Sequence, residues 1–315
     1  MIKIISAFMV TFYHAAYYRL DYGFSQGTFY VPNVSRVLMS LCAMSVPLFF
    51  MVSGALMLNK KRPVKSMLYK AFKIALLILV WYFTGFPMWF FRTLIILYVL
   101  TPILKWLLDN HKRVIYVIMA VIFIMPFMYN YAVVAIRALD IDMVITVAKH
   151  SISLKSLERT GVFTMYSVLY YLLGAILVNK KTCSRIWSIV LIIAGWAMVV
   201  SEVVILTNAD GAMFDGVNAS FPTIGALLMA VGTFELLKSF NYSSATIKFM
   251  NTVSPYVLSI YVMHVIIIKG FAMLLNIDSI SLVQAVALAV AVDAIAVGAG
   301  WVINKIPYVR EVIKI

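Results

Sequence analysis

Charge is scarce in this chain. Asp, Glu, Lys and Arg make up 12% of its 315 residues, against roughly 25% in a soluble domain. A water-soluble fold of this length could not hide a composition that is 64% hydrophobic. Acid is scarcest of all, with 12 acidic residues against 26 basic ones and a net charge of +14. Cysteine occurs only as Cys42 and Cys183, in or beside different hydrophobic runs. That excludes a disulfide framework and suggests no metal site. Soluble domains, low-complexity tracts and internal repeats are absent, so residues 1–315 read as a single transmembrane domain. The first apolar run lacks a small-x-small cleavage site and carries a His, so it reads as a spanning helix rather than a signal peptide.

What is present is apolar sequence in long runs. About 20 apolar residues carry a helix across a hydrocarbon core of roughly 30 Å, where a helix satisfies its own backbone. The residue-by-residue alternation of a membrane β-barrel is missing. The expected fold is all-α and polytopic, with about ten transmembrane helices near 4–20, 36–58, 68–86, 88–108, 114–134, 161–178, 186–206, 221–240, 252–274 and 282–304. Basic residues cluster at alternate connections. Lys60, Lys61, Arg62, Lys65, Lys70 and Lys73 lie in the first cluster, Lys105, Lys112 and Arg113 in the next. Lys180, Lys181 and Arg185 follow, then Lys238 and Lys248, and Lys305, Arg310 and Lys314 in the tail. That side is expected to be cytoplasmic, with both termini inside and the loops 21–35, 135–160 and 207–220 outside. The positive charge thus points to the lipid bilayer as partner and not to nucleic acid.

Ionisable side chains inside spanning helices are costly, and each is a functional candidate. Here they are His14, Arg36, Arg92, Glu202, Glu235, His264, Lys269 and Asp293. Lys3 precedes His14 by eleven residues, close to three helical turns, so both share a face about 16 Å apart. Spacing alone weighs evenly between a titratable site and a snorkelling Lys with a hydrogen-bonded His. His264 lies about 18 Å into its helix from the same side, so the two imidazoles are expected at similar depth. A His can serve as general base near neutral pH. Tyr261 shares a face with His264, where packing is the commoner role. Arg36, Arg92 and Glu202 fall near outer helix ends, where an ion pair tying the rim competes with a substrate site. Glu235 is expected at a solvated inner end, and Asp293 needs a partner. Ser53-Gly54 fits close helix packing.

The segment from Lys3 to His14 resembles the opening helix of membrane-bound acyltransferase family 3, in which a basic residue, usually Arg, precedes a His by eleven positions. Pro47 to Gly54 is similar to that family's FFxxSG segment. Lys70 and Lys73 stand where its members carry a basic pair. Trp89-Phe90 with Tyr98 and Thr101-Pro102 resembles its WF…Y…P helix, and Ser254 to His264 its late S…YxxH segment. These matches follow family order and span nearly the whole chain. Three departures stand out. Lys replaces Arg at position 3, which keeps a point charge and loses a bidentate clamp. The chain begins only two residues before Lys3, where relatives usually carry several more. The connection before Trp89 is short and lacks the His often found there.

The resemblance implies transfer of an acyl group, by default acetyl, from cytoplasmic acyl-CoA to a hydroxyl on a cell-envelope glycan or small acceptor, in a bacterial cytoplasmic membrane. It implies catalytic roles for His14, Lys3 and His264. Lys3, Lys70 and Lys73 would hold the phosphates of CoA, and Trp89 and Tyr261, with Arg36 and Arg92 from their place near outer helix ends, are the candidates for the acceptor side. The rival readings are a transporter or flippase for an envelope intermediate, and a relative without activity.

Overall fold

The computed structural model describes residues 1–17, 19–60, 63–81, 88–141, 144–147, 150–153, 165–275 and 279–306. The readings that rest on Lys61, Arg62, Arg310 and Lys314, and on 82–86 and 161–164, lie outside the described residues. Each of the ten apolar runs holds a helix. These are α1 (Ile2–Ala16), α2 (Val34–Leu58), α3 (Val64–Trp81), α4 (Trp89–Asn110) and α5 (Lys112–Ala138), then α6 (Met165–Leu177), α7 (Arg185–Asp210), α8 (Ile224–Lys238), α9 (Ser244–Leu275) and α10 (Leu282–Ile303). Of these, α2, α4, α5, α7, α9 and α10 are long and apolar enough to cross a membrane. The others are shorter, or in α3 carry Lys65, Lys70 and Lys73. Large apolar side chains such as Phe72, Ile193, Leu274 and Val283 are exposed on the outside of the bundle, as lipid-facing residues of a multi-pass membrane protein are.

The all-helical expectation meets one departure. Strands β1 (Val144–Val147) and β2 (His150–Ser153) pair antiparallel, with Val144 opposite Ser153. The β-branched residues of this stretch favour extended backbone over helix, and the apolar runs on either side are what the helical pattern tracks.

Small residues set the closest helix contacts. A Cβ added to Gly54 on α2 would overlap the Tyr171 carbonyl of α6, and one added to Gly174 would overlap the Met51 carbonyl. The two backbones therefore touch, as small residues permit in membranes. Gly195 and Gly225 do the same for α7 and α8. On α10 the buried face is Ala285, Ala289, Val292, Ala296 and Gly300, at helical spacing. Helix α1 packs against α2, α9 and α10 together, and its Ala7, Ala15 and Ala16 are fully enclosed. Helix α1 is thus enclosed by the bundle, and it carries the candidate residues Lys3 and His14.

Candidate functional site

Helix α1 brings His14 to His264 of α9. The ring centroids are 5.0 Å apart with planes inclined at 46°, so the two imidazoles expected at similar depth do meet. His264 is fully buried, and its Nδ1 lies 3.0 Å from the Ile260 carbonyl oxygen. A carbonyl only accepts, so Nδ1 carries a proton directed at Ile260. His14 is half-buried.

Two cavities lie on the walls around Tyr261, and His14 lines the smaller. The larger, of 470 Å³, is lined by Lys3, Phe49, Ser53, Phe90, Phe91, Tyr98, Ser254, Pro255 and Tyr261, among others. The smaller, of 120 Å³, is lined by Tyr13, His14, Ser45, Trp89, Asn218, Phe221 and Tyr261 with neighbouring valines. Tyr261 belongs to both walls, and its ring centroid is 5.8 Å from that of His264. Lys3 and His14 therefore line different cavities that share the Tyr261 side chain, about three turns apart along α1. Tyr261, read from sequence as packing or as facing the acceptor, forms the boundary between the cavities.

The smaller cavity has a polar floor that the sequence pattern did not indicate. The Tyr13 hydroxyl donates to Asp215 Oδ2 at 2.9 Å and accepts from Asn218 Nδ2 at 2.7 Å. Asn218 Nδ2 also donates to Asp215 Oδ2 at 3.0 Å, and the Val217 amide donates to Asp215 Oδ1 at 2.9 Å. The 211–223 connection between α7 and α8 therefore folds back onto α1 rather than standing clear of it.

The remaining candidates are placed as follows. Trp89 lines the smaller cavity and its ring lies 6.0 Å from Phe221. Arg36 is buried, donates through Nη2 to the Phe214 carbonyl and lies 5.2 Å over the Tyr22 ring. Burial holds the Tyr22 hydroxyl above its ordinary range against the opposing pull of Arg36, so the ring meets the guanidinium as a neutral phenol. Arg36 Nε and Nη1 find no partner among the described residues. Arg92 is exposed and lines neither cavity. Lys70 and Lys73 are half-buried on α3, also outside both linings, and Lys73 Nζ lies 5.1 Å over Tyr69. Glu202 bonds Tyr131 and not Arg36; the ion pair at that rim joins Arg137 and Asp210 at 2.8 Å. The partner of Asp293 is Thr11, whose hydroxyl donates to Oδ1 at 2.6 Å. Glu235 is buried rather than solvated, accepting from the Cys183 amide and pairing with Lys238 at 2.9 Å. Among the described residues no three His, Cys, Asp or Glu side chains converge.

A family model described as an acyltransferase domain matches residues 1–88 and 77–304. No curated protein and no solved structure matches the chain.

Proposed function

The chain belongs to acyltransferase family 3, and from that membership we propose that it moves an acetyl group from acetyl-CoA on the cytoplasmic side of a bacterial cell membrane to a hydroxyl of an envelope carbohydrate or related acceptor. One observation supports this reading above the others. Segments far apart in sequence, around Lys3, Ser53, Tyr98 and Ser254, wall a single cavity that ends at Tyr261, and His14 and His264 meet beside it. Ten spans with both termini in the cytoplasm would open the Lys3 cavity to the compartment that holds acyl-CoA and the His14 cavity to the envelope.

In this reading Lys3 faces the phosphates of the donor as a point charge, with Lys70 and Lys73 adding to the field at the same mouth. The acceptor hydroxyl enters beside Trp89 and His14. An imidazole nitrogen takes the hydroxyl proton, the oxygen attacks the thioester carbonyl, and the C–S bond breaks. The CoA thiolate leaves and takes up a proton. Arg36 and Arg92 belong to the acceptor side, the former by fixing the 211–223 connection.

The test uses the purified chain in liposomes with acetyl-CoA labelled on the acetyl group. Loss of label from CoA in the wild type, abolished in His14→Ala and weakened in Lys3→Ala, supports the assignment. Turnover that survives His14→Ala in a correctly inserted protein removes the catalytic role from His14. No turnover, with no protection from heat by CoA, removes the acyl-CoA reading altogether.

A further inference from the structure

The densest run of basic residues in the chain surrounds the start of α3. Lys60, Lys61, Arg62, Lys65, Lys70 and Lys73 follow one another closely, and no acidic residue occurs between Asp21 and Asp109. Asp109 itself pairs with Lys105 at 3.2 Å. Lys60, Lys65, Lys70 and Lys73 line neither cavity. Helix α3 carries the last three of these and packs chiefly against α4. Its Met67, Ala71, Ile74 and Leu77 form one stripe at helical spacing, and all four are buried. Lys65, Leu68, Tyr69 and Phe72, at i, i+3, i+4 and i+7, form another, and all four are exposed.

The exposed stripe, with Pro63 and Ser66, lines an open recess of 800 Å³. The order along it is cation first and hydrocarbon after. From Lys65 to Phe72 the helix rises about 10 Å, enough to pass from the headgroup level of a bilayer into its hydrocarbon. Side chains on a helix lean toward its N-terminus. Lys73 does so, with Nζ 5.1 Å from the ring centroid of Tyr69, one turn earlier. Its charge is thus carried back toward the level of Lys65. Tyr69 stands between the two, an amphipathic ring of the kind enriched at membrane interfaces.

We propose that this recess binds an anionic phospholipid, with the phosphate against Lys65 and its neighbouring cations and one acyl chain along Leu68, Tyr69 and Phe72. The proposal goes beyond the acyl-CoA reading and stands without it. A neutral lipid would cover the apolar part of the stripe equally well, so it is the charge that selects. Cations clustered at the edge of a membrane helix attract anionic lipid, each adding about fivefold to affinity. A second copy of the chain is a poor occupant, because a two-fold contact would set the cation cluster against itself. A soluble anion would meet the cations and leave the apolar stripe uncovered. The lipid joins both halves of the stripe and supports α3 on the side that α4 does not cover.

The test weighs bound lipid by native mass spectrometry of the full chain in detergent micelles. Phosphatidylglycerol and phosphatidylcholine with the same acyl chains are titrated in turn. The expected result is phosphatidylglycerol bound at least fivefold more tightly, with Lys65→Gln removing about fivefold of that preference. Leu68→Trp fills the recess and alters no charge, and it should weaken phosphatidylglycerol about as much. Lys112→Gln, at the next basic connection, should leave the preference as it is. Equal binding of the two lipids to the wild type overturns the proposal. So does a loss in Lys112→Gln as large as that in Lys65→Gln, which would spread the preference over the whole basic surface. Displacement of phosphatidylglycerol by an equal concentration of glycerol 3-phosphate would mean a free-phosphate site and overturns it as well. Residues 65, 68 and 112 are all exposed, so the fold does not rest on them. If one variant does not fold, the wild-type ranking and the other variants decide.

Discussion

Removing one oxygen from Tyr13 should loosen the connection that covers His14. Tyr13→Phe keeps the ring and its packing and deletes only the hydroxyl that joins Asp215 and Asn218. A hydrogen bond to a carboxylate is worth about 1.5–3 kcal/mol and a neutral one about 1. Asp215 keeps its bonds from the Val217 amide and from Asn218 Nδ2, so part of the loss is made up locally. A net cost of about 2 kcal/mol to docking of 213–221 follows, equivalent to roughly thirtyfold more opening. Val217 and Phe221 keep the ends of this segment packed in the core, so the opening should stay local to the bonds that are lost while the helices stay closed. Hydrogen exchange measured on the protein in nanodiscs reads this directly. Peptides covering Val217 and Asn218 should exchange roughly thirtyfold faster in Tyr13→Phe, and peptides from α2 and α6 should not change. Pairing the change with Asn218→Ala should add less than the sum of the two single effects, because both act on one network. Unchanged exchange at 213–221 would refute the account of how the loop is held.

Two further outcomes follow from helix contacts. Gly54→Val should place a side chain where the Tyr171 carbonyl sits, cost at least the ~1–3 kcal/mol of an overpacked core, and lower the melting temperature of the purified protein; a variant as stable as the wild type would show that α2 and α6 do not touch there. Asp293→Asn should stay within about 1 kcal/mol of the wild type, since its amide oxygen still accepts from Thr11, whereas Asp293→Leu should lose about 1–3 kcal/mol by stranding a buried hydroxyl; equal thermal stability of the two variants would count against the Thr11 contact.

The helices were legible because their signal is compositional and long. A long, mostly apolar run such as 186–206 satisfies its backbone in lipid as a helix, and α7 forms there. The histidines were legible as depths: helical rise from a common side predicted their level, and the rings lie 5.0 Å apart. What sequence could not supply was lateral position. Asp215 and Asn218 sit in a polar connection without periodicity, so nothing in the pattern distinguishes a loop that folds onto α1 from one in water. The one clue is their place in the connection between α7 and α8, a segment with two glycines. Arg36 and Glu202 occur at matching helix ends, yet each binds elsewhere, because sharing a level does not make two residues neighbours. A place near a helix end suggests a solvated Glu235, but the 182–184 segment gives the carboxylate an amide to bind.

The Thr11–Asp293 contact joins positions 282 residues apart, and α1 is walled on two sides by α9 and α10. This imposes a schedule on biogenesis. At roughly 5–20 residues per second of synthesis, α1 waits on the order of tens of seconds before the helices that enclose it exist. Through that interval Thr11, Tyr13 and His14 are polar groups on a short helix without the neighbours that satisfy them in the finished bundle. The site closes late, when the final spans dock. Quality-control factors that sense unmatched polarity in the bilayer therefore have their widest opportunity at this helix, and a chain stalled before α10 would be marked by its own first helix.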